Sequence, residues 1–176
     1  MTASDAETSA ITDAARREFV VTRVLDAPRE LVFKAWTERE RLMRWWGPKG
    51  AVIQIRDLDL RPGGAFHYGM RAPDGHDMWG KWVFREISAP ERLVFIASFT
   101  DEAGNPIRNP FALDWPLEVL STLTFAEQEG RTTLTMHGVP LNATEQERNA
   151  FEGGHASLRQ GWIGTLDQLA DYLKSA

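Results

Sequence analysis

An α+β fold is predicted for this chain of 176 residues. It should consist of a curved antiparallel sheet covered by a long C-terminal helix, with two short helices after the first strand. Three observations predict it. Runs of β-branched and alternating apolar residues follow one another between turns rich in proline and glycine, which implies hairpins and antiparallel pairing. The last segment carries one apolar stripe at three- and four-residue steps, as a surface helix does. Between the first strand and the rest stand two amphipathic stretches, the second ending in Trp45-Trp46-Gly47-Pro48. A sheet with one apolar face needs a cover, and the terminal helix has the stripe and length to supply it.

The elements follow in order. Residues 1–15 are small and polar, with three acids and no basic residue, and are expected to form a flexible tail. Residues 16–176 are expected to form one domain, with order beginning at Arg17. Glu18 to Leu25 has strand composition. Ala27-Pro28-Arg29-Glu30 starts the first helix, with Pro28 in its first turn and Glu30 at its positive end. Leu31, Val32, Ala35 and Trp36 share a face. Thr37-Glu38-Arg39-Glu40 matches a capping box, which predicts a second helix at once. Leu42, Trp45 and Trp46 form its apolar side, Gly47 can cap it and Pro48 ends it.

Ala51 to Leu60 reads as a strand whose pattern changes phase between Ile53-Ile55 and Leu58-Leu60, which predicts a bulge or a change of buried face. Arg61-Pro62-Gly63-Gly64 is a turn, with Arg61 expected to pair with Asp59. In Ala65 to Arg71, Phe66, Tyr68 and Met70 share a face opposite His67. After the turn 72–76, Met78–Ile87 and Arg92–Phe99 form a hairpin. Residues 100–115 are a long loop with apolar residues of its own, usually a functional feature. Leu117, Val119, Leu123 and Phe125 alternate with polar neighbours, and Thr132–Val139 is the last strand.

Asn142 or Thr144 caps the final helix, which runs to about Leu173. Its stripe is Phe151, His155, Leu158, Trp162, Leu166, Leu169 and Leu173. Gly153, Gly154, Gly161 and Gly164 each cost roughly 1 kcal/mol there relative to alanine. Close approach of sheet or ligand would explain them, as would a kink at 153–154.

Composition narrows the function. A net charge of −5 without a basic stripe argues against nucleic acid. With no cysteine, disulfides, thiolate metal sites and cysteine nucleophiles are excluded, and a cytoplasmic location fits. No apolar run reaches the roughly 20 residues of a membrane span, and residues 1–15 lack the positive start and apolar middle expected of a secretory signal. There is no nucleophile elbow, phosphate loop, dinucleotide fingerprint or His-x-x-x-His spacing. Neither a metal nor a cofactor is expected.

The runs Ala27-Pro28-Arg29-Glu30-Leu31-Val32-Phe33-Lys34-Ala35-Trp36, Trp45-Trp46-Gly47-Pro48 and Asp59-Leu60-Arg61-Pro62-Gly63-Gly64 carry a family resemblance. Pro90-Glu91-Arg92-Leu93-Val94, Gly161-Trp162, Leu166-Asp167-Gln168-Leu169-Ala170 and Tyr172-Leu173 extend it. Over roughly 17–174 the chain resembles the stand-alone bacterial form of the activators of heat-shock-protein-ninety ATPase, within the START-like (SRPBCC) superfamily. The resemblance implies a helix-grip fold with a cavity between helix and sheet that often takes an apolar small molecule. It does not fix an activity, because the superfamily holds lipid carriers, aromatase/cyclases, hormone receptors and co-chaperones. The eukaryotic co-chaperones carry an added N-terminal domain, so a heat-shock-chaperone partner and a stress-response role rank last here.

The expected function is therefore binding of an apolar or aromatic molecule. A cyclase-, hydrolase- or aldol-type enzyme is the alternative, and a protein-interaction module using the two-helix flap is the third reading. The lining is drawn from Trp46, Phe66, Tyr68, Met70, Trp79, Trp82, Phe95, Trp115, Phe151, His155, Leu158 and Trp162. Trp79 and Trp82 fall on opposite strand faces, so only one can line the cavity. Trp45 and Trp46 are first of all core residues. No catalytic residue is assigned, and His155, on the apolar stripe, is the candidate acid–base group if chemistry occurs. A structural role for that histidine outweighs a catalytic one. Asp57 and Asp59 share a face by parity only. Homodimerisation through a sheet edge or the 100–115 loop is compatible with the composition.

Overall fold

The computed structural model describes residues 18–176, so the tail expected at 1–15 lies outside the described residues. Seven strands form one sheet: β1 (Phe19–Leu25), β2 (Val52–Leu58), β3 (Ala65–Arg71), β4 (Asp77–Ser88), β5 (Arg92–Thr100), β6 (Glu118–Gln128) and β7 (Arg131–Leu141). The order is β1-β7-β6-β5-β4-β3-β2, and every pairing is antiparallel. The helices are α1 (Arg29–Thr37), α2 (Arg39–Trp45), α3 (Glu145–Gly153) and α4 (His155–Leu173). This is the expected α+β helix-grip architecture. Among the described residues no helix is long and apolar enough to cross a membrane.

Local chemistry explains most boundaries. The phase change in β2 is a register shift between Ile55 and Asp57, so a bulge accounts for it. The strand stops at Leu58 rather than Leu60. Asp59 instead receives the Arg61 guanidinium at 2.6 Å, as the turn reading requires.

The expected capping box at Thr37 does not form. The Thr37 hydroxyl donates to the Phe33 carbonyl at 2.8 Å, which makes Thr37 the last turn of α1. Glu38 is the N-cap of α2, with no side-chain cap. One residue cannot satisfy the end of one helix and the start of the next with a single short side chain. Pro28 likewise stands at the N-cap of α1, one position before the predicted first turn.

Thr144 caps α3 through a complete capping box with Glu147. The single long terminal helix is corrected to two, broken at Gly154. The kink reading at 153–154 is thus the right one. A Cβ on Gly154 would stand 2.6 Å from the Trp115 ring, so glycine there lets the indole close over the break. Gly153, Gly161 and Gly164 face open space instead, and close approach does not explain them.

The core gathers where the helices meet the sheet. Trp36, Trp45, Trp46, Trp82 and Trp162 form one aromatic cluster, with ring centroids at 4.7 Å for Trp36–Trp45, 5.0 Å for Trp46–Trp82 and 6.0 Å for Trp36–Trp162. Such offset and edge-on pairs are worth about 0.5–1.5 kcal/mol each beyond area burial. Trp45 also donates its indole N–H to the Ala35 carbonyl at 3.0 Å, locking α2 against α1. From α4, the Gln168 amide donates to the Gly47 carbonyl, and so ties the terminal helix to the end of α2. Leu166, Leu169 and Leu173 are buried, completing the C-terminal anchor of α4.

Candidate functional site

The elements leave a space where α4 does not reach the sheet. The main packing partners of α4 are α2 and β1, at the edge of the layer rather than its middle. Between them lies a cavity of about 720 Å³. That is within the size range of pockets that hold a drug-sized molecule.

The inward faces of the strands make the floor. Tyr68 on β3, Gly80 and Trp82 on β4, Phe95 and Ala97 on β5, Val119 and Ser121 on β6, and Met136 and Gly138 on β7 all line it. Trp82 and Phe95 stack at 4.1 Å and present a flat aromatic surface. Gly80 is required by Tyr68: a Cβ there would stand 2.6 Å from the phenolic oxygen. The helices make the roof, with Phe151 on α3 and Leu158 and Trp162 on α4. Trp46 closes one end. Trp115, Asn109 and Phe111, from the loop between β5 and β6, stand at the other. Phe111 is 80% exposed, so this end is the mouth. The long aromatic-bearing loop thus borders the cavity.

Nine of the twelve residues from which the sequence draws the lining stand around this space: Trp46, Tyr68, Trp79, Trp82, Phe95, Trp115, Phe151, Leu158 and Trp162. The other three do not. Phe66 is fully buried in the core, between Tyr68 at 4.9 Å and Trp82 at 4.9 Å. Met70 lies further along β3, against a smaller depression of about 320 Å³ beside β2. His155 packs between the rings of Phe19 at 5.6 Å and Phe151 at 5.1 Å, behind the wall.

Trp79 and Trp82 do face opposite ways. The Trp79 ring lies over Gly69 on the outer face, with the Arg56 guanidinium 5.1 Å from its centroid, and only borders the cavity. His67, expected on the face opposite Phe66 and Tyr68, is on that outer side too. It is buried, 3.3 Å from the Thr100 hydroxyl and 5.3 Å from the Trp79 ring. His76 is paired with Asp74 at 3.1 Å, and His137 with Glu18 at 2.6 Å.

The electrostatics of the wall are simple. None of the lining residues is Asp, Glu, Lys, Arg or His. Burial pushes the Tyr68 hydroxyl well above the usual phenol range, against the opposing effect of the Trp82 indole N–H, so it stays neutral and protonated. The lining therefore offers hydrogen-bond donors and aromatic faces, and no group that would titrate near neutral pH. Ser121 is the residue that the sequence reading passed over. It sits on the inward parity between Val119 and Leu123, and a polar residue at an apolar position was the available signal.

Comparison with known proteins agrees with the fold. The family model described as Activator of Hsp90 ATPase homolog 1-like protein matches residues 26–174. Protein Ms6760 of Mycobacterium smegmatis is 26% identical with a TM-score of 0.75, over 92% of this chain and 93% of that one. A protein of Arthrobacter aurescens is 25% identical with a TM-score of 0.77, over 93% and 90%. A protein of Nitrosomonas europaea, NE0264, is 27% identical with a TM-score of 0.68, over 92% and 96%. Comparison with the curated proteins finds no match.

Proposed function

We propose that this chain, which belongs to the Activator of Hsp90 ATPase homolog 1-like family, binds a neutral apolar or aromatic small molecule between its sheet and α4. The observation that carries this is the cavity of about 720 Å³, walled by aromatic and aliphatic side chains without one formal charge. An ionised ligand would lose its hydration there and find no counter-charge, a cost of several kcal/mol. A neutral ring system gains instead from the apolar area it buries, at about 25 cal/mol per Å².

The test uses the neutral fluorophore N-phenyl-1-naphthylamine. Saturable binding at one site per chain is expected. An Ala97→Trp variant, which fills the floor, should weaken it by more than about tenfold, equivalent to 1.4 kcal/mol. Binding that does not saturate, or that Ala97→Trp leaves unchanged in a folded protein, overturns the reading. Native mass spectrometry of freshly purified protein would identify a co-purified occupant directly. The chaperone reading rests on the family description, and its test is the ATPase rate of a heat-shock chaperone with and without this protein.

A further inference from the structure

Phe111 is the most exposed large apolar side chain among the described residues, at 80%, and it stands at the mouth of the apolar cavity. An apolar ligand in that cavity leaves its outer side wetted at the mouth. Covering that side with the Phe111 ring would take two apolar surfaces out of water at once, which is favourable. Leu113, two residues on, is 72% exposed but does not line the cavity. The two apolar side chains of one loop are thus separable, since only Phe111 has the cavity beside it.

The chain around Phe111 is built to shift as a unit. No residue from 109 to 114 is buried. Among the described residues, the hydrogen bonds of this stretch run inside it or to Trp115. The Phe111 N–H donates to the Asn109 Oδ1 at 2.9 Å, the Ala112 N–H to the Asn109 carbonyl at 3.2 Å, and the Trp115 N–H to the Ala112 carbonyl at 2.9 Å. The turn is therefore preformed, and moving it breaks no bond to the sheet or to the helices. Its flanks are fixed. The Ile107 N–H donates to the Phe99 carbonyl at 2.9 Å. The Arg108 guanidinium stands 2.9 Å from the Glu147 carboxylate of α3. The Trp115 ring packs on Phe151 at 5.0 Å. A segment with few buried contacts opens and closes at low free-energy cost, and a short loop between fixed ends is the usual form of a lid.

We propose that residues 109–114 are a lid and that Phe111 folds over the mouth onto the bound ligand. This rests on the ligand-binding reading above and adds the residue that retains the ligand.

Stopped-flow fluorescence with N-phenyl-1-naphthylamine tests it. Phe111→Ala should release the fluorophore about tenfold faster, the lower end of what burial of a phenylalanine ring contributes. Its association rate should match wild type, since the open protein is the species that binds. Phe111→Leu should restore most of the residence time, and Leu113→Ala should release at the wild-type rate. Phe111 is exposed in the free protein, so Phe111→Ala should melt with wild type, which separates a lost lid from a lost fold. Chymotrypsin reads the closure itself. It should cut after Phe111 in the free protein, and saturating fluorophore should slow that cut in wild type but not in Ala97→Trp, whose cavity is filled. Release from Phe111→Ala at the wild-type rate overturns the inference. So does equal acceleration in Leu113→Ala, or a cut after Phe111 that the fluorophore leaves unchanged in wild type. If the fluorophore binds saturably and Ala97→Trp weakens it while Phe111→Ala leaves release unchanged, the lid fails and the cavity reading stands. If nothing binds, both fail.

Discussion

Gly80 occupies a position where a side chain and the Tyr68 phenol exclude one another. A Cβ there would be 2.6 Å from the hydroxyl oxygen and 2.7 Å from the ring carbon that bears it. Gly80→Ala should therefore destabilise the protein by about 1–3 kcal/mol, the usual cost of overpacking. In a Tyr68→Val background the penalty should largely disappear, since the obstructing ring is gone. Urea unfolding of the four proteins in this double-mutant cycle checks it, and additive effects would contradict the contact. Nothing in the local sequence of β4 marks Gly80 as special, because the constraint comes from a neighbouring strand. Ser121 differs: its inward parity is visible in the sequence, but that its hydroxyl lacks a partner among the described residues becomes visible only when the strands are assembled. Residue-scale features of the site were legible where they followed periodicity and illegible where they depended on a non-local contact.

Helix ends and interruptions obey the same division. The Thr144–Glu147 capping box is written locally, and Thr144→Ala should cost α3 about 0.5–2 kcal/mol in thermal or denaturant unfolding. The apparent box at Thr37 had equal sequence credentials, but its hydroxyl is taken by the Phe33 carbonyl one turn back. Local motifs therefore compete, and which end wins is decided by the chain on both sides. The glycines of the terminal segment separate in the same way. Gly161 and Gly164 meet nothing within 4 Å, so alanine at either should stabilise α4 by roughly 0.5–1 kcal/mol through its better helix propensity. Gly154→Ala should do the opposite, because its Cβ meets the Trp115 ring at 2.6 Å. Thermal shifts of opposite sign for these substitutions are the check. Sequence alone marks all of these glycines as helix-weakening and cannot say which one is held by a partner.

At the scale of the whole molecule, the helix is anchored at one end and spans a void at the other. Hairpin spacing and the apolar stripe made the architecture legible, since both are properties of chain order. The void followed from the family resemblance and not from the residue pattern, because an inward aromatic that packs in the core and one that lines a cavity have the same periodicity. Phe66 and Tyr68 stand two residues apart on one face, yet only Tyr68 borders the space. The same contrast runs along α4. From Thr165 onward it buries Thr165, Leu166, Leu169 and Leu173, and Gln168 bonds the end of α2. From His155 to Gly164 no residue is buried, and Leu158 and Trp162 face the cavity. Local opening free energy follows buried contacts, so amide exchange in the free protein should be faster over 155–164 than over 165–173. A ligand in the cavity gives Leu158 and Trp162 the contacts they lack. At a ligand concentration of 100 times Kd it should add about 2.7 kcal/mol of stability, with the gain in exchange protection concentrated in 155–164. Hydrogen exchange with and without N-phenyl-1-naphthylamine measures both. Protection confined to the sheet edges, or uniform along α4 in the free protein, would show that the helix does not respond to the cavity it roofs.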